Sequence, residues 1–171
     1  MGARTRARRH ALDILFQAER RDMDARDVLT EYQQRRVSDG QQPFNGFVPE
    51  AVVGVCEHRD QIDERITTAS IGWDLDRMPG VDRNALRIGV WEILWRSDVP
   101  DQVAISEAIE TVRELSTDES PAFVNGVLGS IATQHAGWTG APEPEGEAAE
   151  SGGPRDGLTG AADAVPGATD E

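Results

Sequence analysis

Residues 96–128 read RSDVPDQVAISEAIETVRELSTDESPAFVNGVL, and the fold turns on how this stretch is parsed. Two amphipathic helices fit it. The segment DVPD breaks the chain, and helical periodicity resumes over about Gln102–Leu115. Ser120 followed by Pro121 is a start signal for the next helix. Pro is suited to the first helical position because its missing N–H would have no partner there. In that last helix Val124, Val127, Leu128 and Ile131 form the core stripe. Phe123 lies about a quarter turn off the stripe, on a core edge or a contact surface, and Gly126 faces nearly the opposite way. A Gly inside a helix costs roughly 0.5–1 kcal/mol relative to Ala. Close approach of another backbone would offset that, whether from a neighbouring helix, a partner protein or RNA. The stretch holds no metal-ligand cluster, no nucleophile triad and no glycine-rich phosphate loop.

Working outward, helical spacing recurs and strand alternation does not. VDRNALRIGVWEIL predicts a helix over Val81–Trp95, preceded by the irregular GWDLDRMPG. One long helix is expected from Val48 to Ser70 through Val52, Val55, Cys56, Ile62, Ile66 and Ala69. The loop SDGQQPFNG separates it from a helix over Ala25–Arg36 that is capped by Asp24 and buries Ala25, Val28, Leu29 and Tyr32. The first helix, about Arg4–Arg21, has a core stripe of Ala7, Ala11, Ile14, Leu15 and Ala18. Arg9, Phe16 and Arg20 fall on the other side, with Leu12 toward them. An aromatic flanked by arginines and turned from its own core points to a contact surface, unless a second helix covers it. The expected class is all-α: one helical domain over residues 1–136 and a disordered acidic tail over 137–171, rich in Gly, Pro and Ala and poor in bulky apolar side chains.

Charge is unevenly spread. All 17 basic side chains are Arg, so each offers a planar fork suited to phosphate or carboxylate. The net charge of -14 would argue against nucleic acid if taken globally. Residues 1–9, however, hold four Arg and no acid, whereas residues 137–171 hold eight acids and one Arg. The total therefore says little about what the N-terminus binds. Cys56 is the only cysteine and sits in the apolar run VVGVC, where a small buried hydrophobe is expected. With no apolar run long enough to span a bilayer and no signal-type segment behind the charged N-terminus, a soluble, cytoplasmic protein is expected.

Three segments in order, VDRNALRIGVWEIL, VPDQVAISEAIETVREL and FVNGVL, together with the arginine-studded RTRARRHALDILFQ, resemble the NusB family of transcription antitermination factors over most of residues 4–133. Phe16 and Trp91 stand where the family usually has tyrosine, Ser106 replaces Asn and Arg113 replaces Lys. The acidic tail lies outside the family pattern. The resemblance implies a fold of two packed helical bundles. It also implies pairing with the ribosomal protein NusE and recognition of boxA, a single-stranded leader element of ribosomal RNA transcripts. The complex would join elongating RNA polymerase and other Nus factors and suppress termination. No cofactor is implied. Carried over by position, Arg6, Arg8, Arg9 and Phe123 are the RNA contacts, and Phe16 and Asp82 belong to the partner face. Arginines on a backbone and an aromatic face under a base are what a single strand requires. Whether the free protein hides its partner face in a homodimer stays open.

Catalysis finds less support. His10, His58 and His135 are isolated, with no i,i+4 His pair and no CxxC. Glu107 and Glu110, three apart on a helix, read as a solvated or ion-paired face. Arg87 and Glu92 are expected to pair internally with Glu107 or Glu110, since a buried charge requires a partner. NusB-like domains also precede some ribosomal RNA cytosine methyltransferases, a reading that requires a Rossmann-like domain downstream. A purely protein-binding adaptor is the third reading.

Overall fold

Each helix of this computed structural model, which describes residues 2–137, starts or stops on identifiable chemistry. Helix α1 (Ala3–Arg21) ends at Asp22, whose left-handed conformation (φ 52°) turns the chain so that the Met23 N–H reaches the Ala18 carbonyl at 3.0 Å. Asp tolerates that conformation better than most residues. Helix α2 (Ala25–Ser38) opens with the Asp24 carboxylate accepting from the Arg26 N–H at 2.8 Å, the expected cap. After a turn through Gly40 come α3 (Phe47–Glu57) and α4 (Arg59–Ala69), then a 3-10 turn (Leu75–Arg77) within the irregular GWDLDRMPG. Helices α5 (Gly80–Trp95), α6 (Asp101–Leu115) and α7 (Ser120–Gly137) complete the described chain, which contains no strand. None of these helices is long and apolar enough to cross a membrane.

The helices pack as two bundles. Helices α1, α2 and α3 contact one another, and α4, α5, α6 and α7 form the second group. Helix α5 joins them by also packing on α1 and α3. Its sequence explains the role: every residue from Asn84 to Ile93 is buried, and a helix covered on all sides belongs in the centre. Where α3 crosses it, Gly54 is needed, because a methyl group there would stand inside the Trp91 indole. The core stripes on α1 and α7 are those the periodicity predicts.

The single helix expected over Val48–Ser70 is instead two. The break falls at His58 (φ -107°, ψ 19°), whose ring stacks on Trp95 with centroids 4.1 Å apart. The apolar spacing runs unbroken across this point, from Val55 to Ile62, and neither Pro nor Gly marks it. A tertiary contact, the stack against the end of α5, fixes the turn. It lets α3 stay with the first bundle while α4 packs on α5 and α7. From residue 138 onward the expected acidic tail lies outside the described residues.

Candidate nucleic-acid interface

The arginines of α1 do not share one surface. Arg8 is buried: its Nε donates to both Glu92 oxygens (3.1 and 3.0 Å), and its Nη2 lies 2.7 Å from Glu92 Oε1. Nη1 approaches Glu107 at 3.6 Å, and the guanidinium lies 5.2 Å over the Phe47 ring. Glu92 is only 1% exposed, so the pair is an ion pair inside the protein. Arg8, expected as an RNA contact, thus has its fork filled by Glu92 and facing inward. Arg4 pairs with Asp98, and Arg9, half-buried, pairs with Glu114 of α6. Arg6 is exposed and lines a cavity on the side of α1 facing α2 and α3.

Helix α1 is covered on two sides. Leu12, expected beside Phe16 on the outward face, is buried together with Arg8 against α5 and α6. Phe16 is half-buried. Its ring lies over the start of α5, so that a Cβ at Gly80 would come within 2.8 Å of it, and the Arg20 guanidinium sits 5.8 Å from its centroid. The second expected partner residue, Asp82, is buried and accepts from Ser120 Oγ at 2.7 Å. Its other oxygen has no hydrogen-bond partner. Asp82, expected on the partner face, is thus buried and ties the first turns of α5 and α7 together. Ser120 turns toward Asp82 and Thr117 rather than forward to the amides of its own helix.

Internal pairing of Arg87 and Glu92 holds, but with other partners. Arg87 bridges Asp63 (2.7 and 2.9 Å) and Glu19, while Glu92 takes Arg8. Glu19 also accepts from Arg83 and Asn84. Burial alone would raise the Glu19 pKa, yet hydrogen bonds from Arg83 and Arg87 outweigh it and hold the carboxyl at about 2. This network fastens α1, α4 and α5 together behind Phe16.

At the start of α7, Phe123 packs half-buried on the core edge with its ring 5.6 Å from that of Trp73. Trp73 and its neighbour Ile71 are exposed. Gly126, one turn beyond Phe123, would place a Cβ with nothing within 4 Å. Tight packing of this glycine against a neighbouring helix is therefore overturned, and its side of α7 is open. Two rings beside an unobstructed helix face form a surface on which a planar group could stack. Periodicity did not pick out Trp73, because it sits in an irregular stretch. An aromatic between helices, outside any apolar stripe, was the available signal.

The NusB family model matches residues 5–133, nearly all of the described chain. The chain belongs to the NusB family. Relatives named transcription antitermination protein NusB include that of Nocardioides sp. (strain ATCC BAA-499 / JS614), 53% identical over 131 residues, covering 77% of this chain and 94% of the relative. Another, from Kineococcus radiotolerans, is 50% identical over 132 residues with the same coverage. Among solved structures, T. maritima NusB superposes with a TM-score of 0.69 at 34% identity, over 80% of this chain and 94% of that one. A chain from the complex of antitermination factors NusB and NusE with double-stranded RNA superposes at 0.66 and 23% identity, over 78% and 98%, a likeness of fold. The two-bundle architecture that the family resemblance implied is thus the one observed.

Proposed function

We propose that this chain is a transcription antitermination factor that binds boxA-type single-stranded leader RNA together with the ribosomal protein NusE. On this reading it works in the cytoplasm, by binding rather than catalysis, and carries the RNA-bound pair to elongating RNA polymerase. The observation that carries the reading is the aromatic corner of Phe123 and Trp73 beside the open face at Gly126, in a member of a family whose relatives are named for antitermination. A base stacks on Phe123, and exposed Arg6 and surface Arg9 neutralise backbone phosphates, with Arg9 exchanging Glu114 for a phosphate. Phe16, at the joint between α1 and α5, contributes to the protein-partner face, which a homodimer would cover in the free protein.

The test is retrieval of bound RNA and protein from lysate with and without RNase, followed by titration of a boxA-type RNA onto Phe123→Ala. The expected loss of RNA affinity is roughly 1–3 kcal/mol, the range for one stacked base. Thermal unfolding of the same variant should move little, because the ring is only half-buried. Unchanged RNA affinity in a protein that has lost several kcal/mol of stability would assign Phe123 to the core instead.

A further inference from the structure

Arg6 shares its cavity with residues from three segments. The cavity, about 160 Å³, is lined by Arg6 and His10 of α1, Arg36 near the end of α2, and Phe44 and Asn45 in the turn before α3. Arg36 is oriented from two directions: its Nε donates to the Gln42 carbonyl at 2.8 Å, and its guanidinium lies 4.6 Å over the Phe44 ring. The His10 ring meets the same Phe44 at 5.0 Å. Among the described residues, no carboxylate lies within ion-pair distance of Arg36. The carboxylate that acts on His10 is Asp13, one turn along α1, whose charge also acts on Tyr32 of α2. Two guanidinium groups and an imidazole thus converge on one concavity of an otherwise acidic protein.

We propose that this corner is a phosphate cradle that takes one backbone phosphate of the bound single strand, gripped by Arg6, Arg36 and His10, with Phe44 as the wall that aims Arg36. The identity of the phosphate as an RNA phosphate rests on the function proposed above; the chemistry of the cradle does not. Planar guanidinium forks suit the tetrahedral dianion or diester, and Arg36 keeps N–H donors beyond the one bound to Gln42. The imidazole adds a proton-dependent contact. In the free protein, burial and the charges of Arg36 and Arg6 lower the His10 pKa, against the opposing pull of Asp13. An anion seated among them reverses that balance and favours the imidazolium. Binding at the cradle therefore takes up a proton, and strengthens as pH falls.

Two titrations on the full chain test this. In the first, inorganic pyrophosphate is added while the histidine rings are followed by NMR, with His10 assigned from the His10→Gln variant. The His10 titration midpoint should rise on saturation, and Arg36→Gln should suppress the rise. In the second, a labelled boxA-type RNA is titrated at several salt concentrations. Arg36→Gln should flatten the slope of log affinity against log salt by about 0.7, the contribution of one phosphate on a single strand. Arg36→Lys should keep most of that slope, which separates charge from folding, and thermal unfolding confirms that each variant is folded. A His10 midpoint unmoved by pyrophosphate, or an RNA salt slope that Arg36→Gln leaves intact, overturns the cradle while the RNA-binding function stands. A raised His10 midpoint with no RNA binding by the parent chain supports the cradle as a phosphate site and overturns the RNA reading.

Discussion

Replacing Arg8 by Met gives the sharpest test of the buried ion pair. The variant keeps the aliphatic stem and removes the charge that neutralises Glu92. Glu92 is 1% exposed, so solvent cannot compensate, and its two oxygens lose three hydrogen bonds from the Arg8 fork. Breaking a buried pair from one side costs roughly 3–5 kcal/mol, because the remaining charge is stranded. For a domain of this size that corresponds to a fall in unfolding midpoint of about 10 °C or more. Replacing both partners, Arg8→Met with Glu92→Leu, should recover most of the loss, since an apolar pair of similar volume carries no stranded charge. Calorimetry or urea unfolding at neutral pH reads both variants, and the double-mutant cycle isolates the pair. The salt dependence of RNA binding by folded Arg8→Met should match that of the parent chain. A stability loss below about 1 kcal/mol, well short of the range for a broken buried pair, or a flattened salt slope would show that Arg8 faces a ligand and that the buried geometry misleads.

Three further outcomes are expected. Gly126→Ala should stabilise the protein by roughly 0.5–1 kcal/mol, since the new methyl meets nothing within 4 Å and a helix interior favours Ala; reduced RNA or partner binding in the same variant would mark this face as one that needs close backbone approach. Because the Glu19 carboxyl is held at about 2 in the fold against 4.5 unperturbed, its contribution to stability is fully present above about pH 4.5 and is lost as pH falls toward 2. Acid unfolding of Glu19→Gln should therefore be less steep than that of the parent chain across that window, and identical profiles would remove Glu19 from acid sensitivity. Truncation after Gly137 deletes a segment with seven more acids than bases; it should tighten RNA binding at low salt only, where screening is weak, and equal affinities at low salt would show that the segment does not compete for the N-terminal arginines.

Local chemistry made most of the fold legible. Asp24 caps α2 as its side-chain type predicts, Pro121 marks the first turn of α7, and the apolar stripes of α1 and α7 face the core. The exceptions arise where distant residues overrule local pattern. The turn at His58 has no breaker residue, and the stack on Trp95, 37 positions away, makes it. Leu12 was placed outward because a helical wheel assigns one buried side, but α1 is held between its own bundle and α5. A wheel drawn from one segment cannot register the second neighbour.

The site was less legible for a related reason. An arginine in sequence is the same whether its fork meets a phosphate or a carboxylate, and only the partner across the fold decides. Arg8 and Arg9 are adjacent in the chain, yet a 100° step around α1 sends the first inward to Glu92 and leaves the second at the surface with Glu114. Asp82 shows the same ambiguity for acids, since nothing local in the sequence announces the Ser120 hydroxyl that it meets across the fold. Arg6 and Arg36, 30 residues apart and unremarkable singly, line one cavity because the turn through Phe44 brings the end of α2 back to the start of α1. Ion-pair topology, more than helix placement, therefore determines which of the arginines on this acidic chain are available to a polyanion.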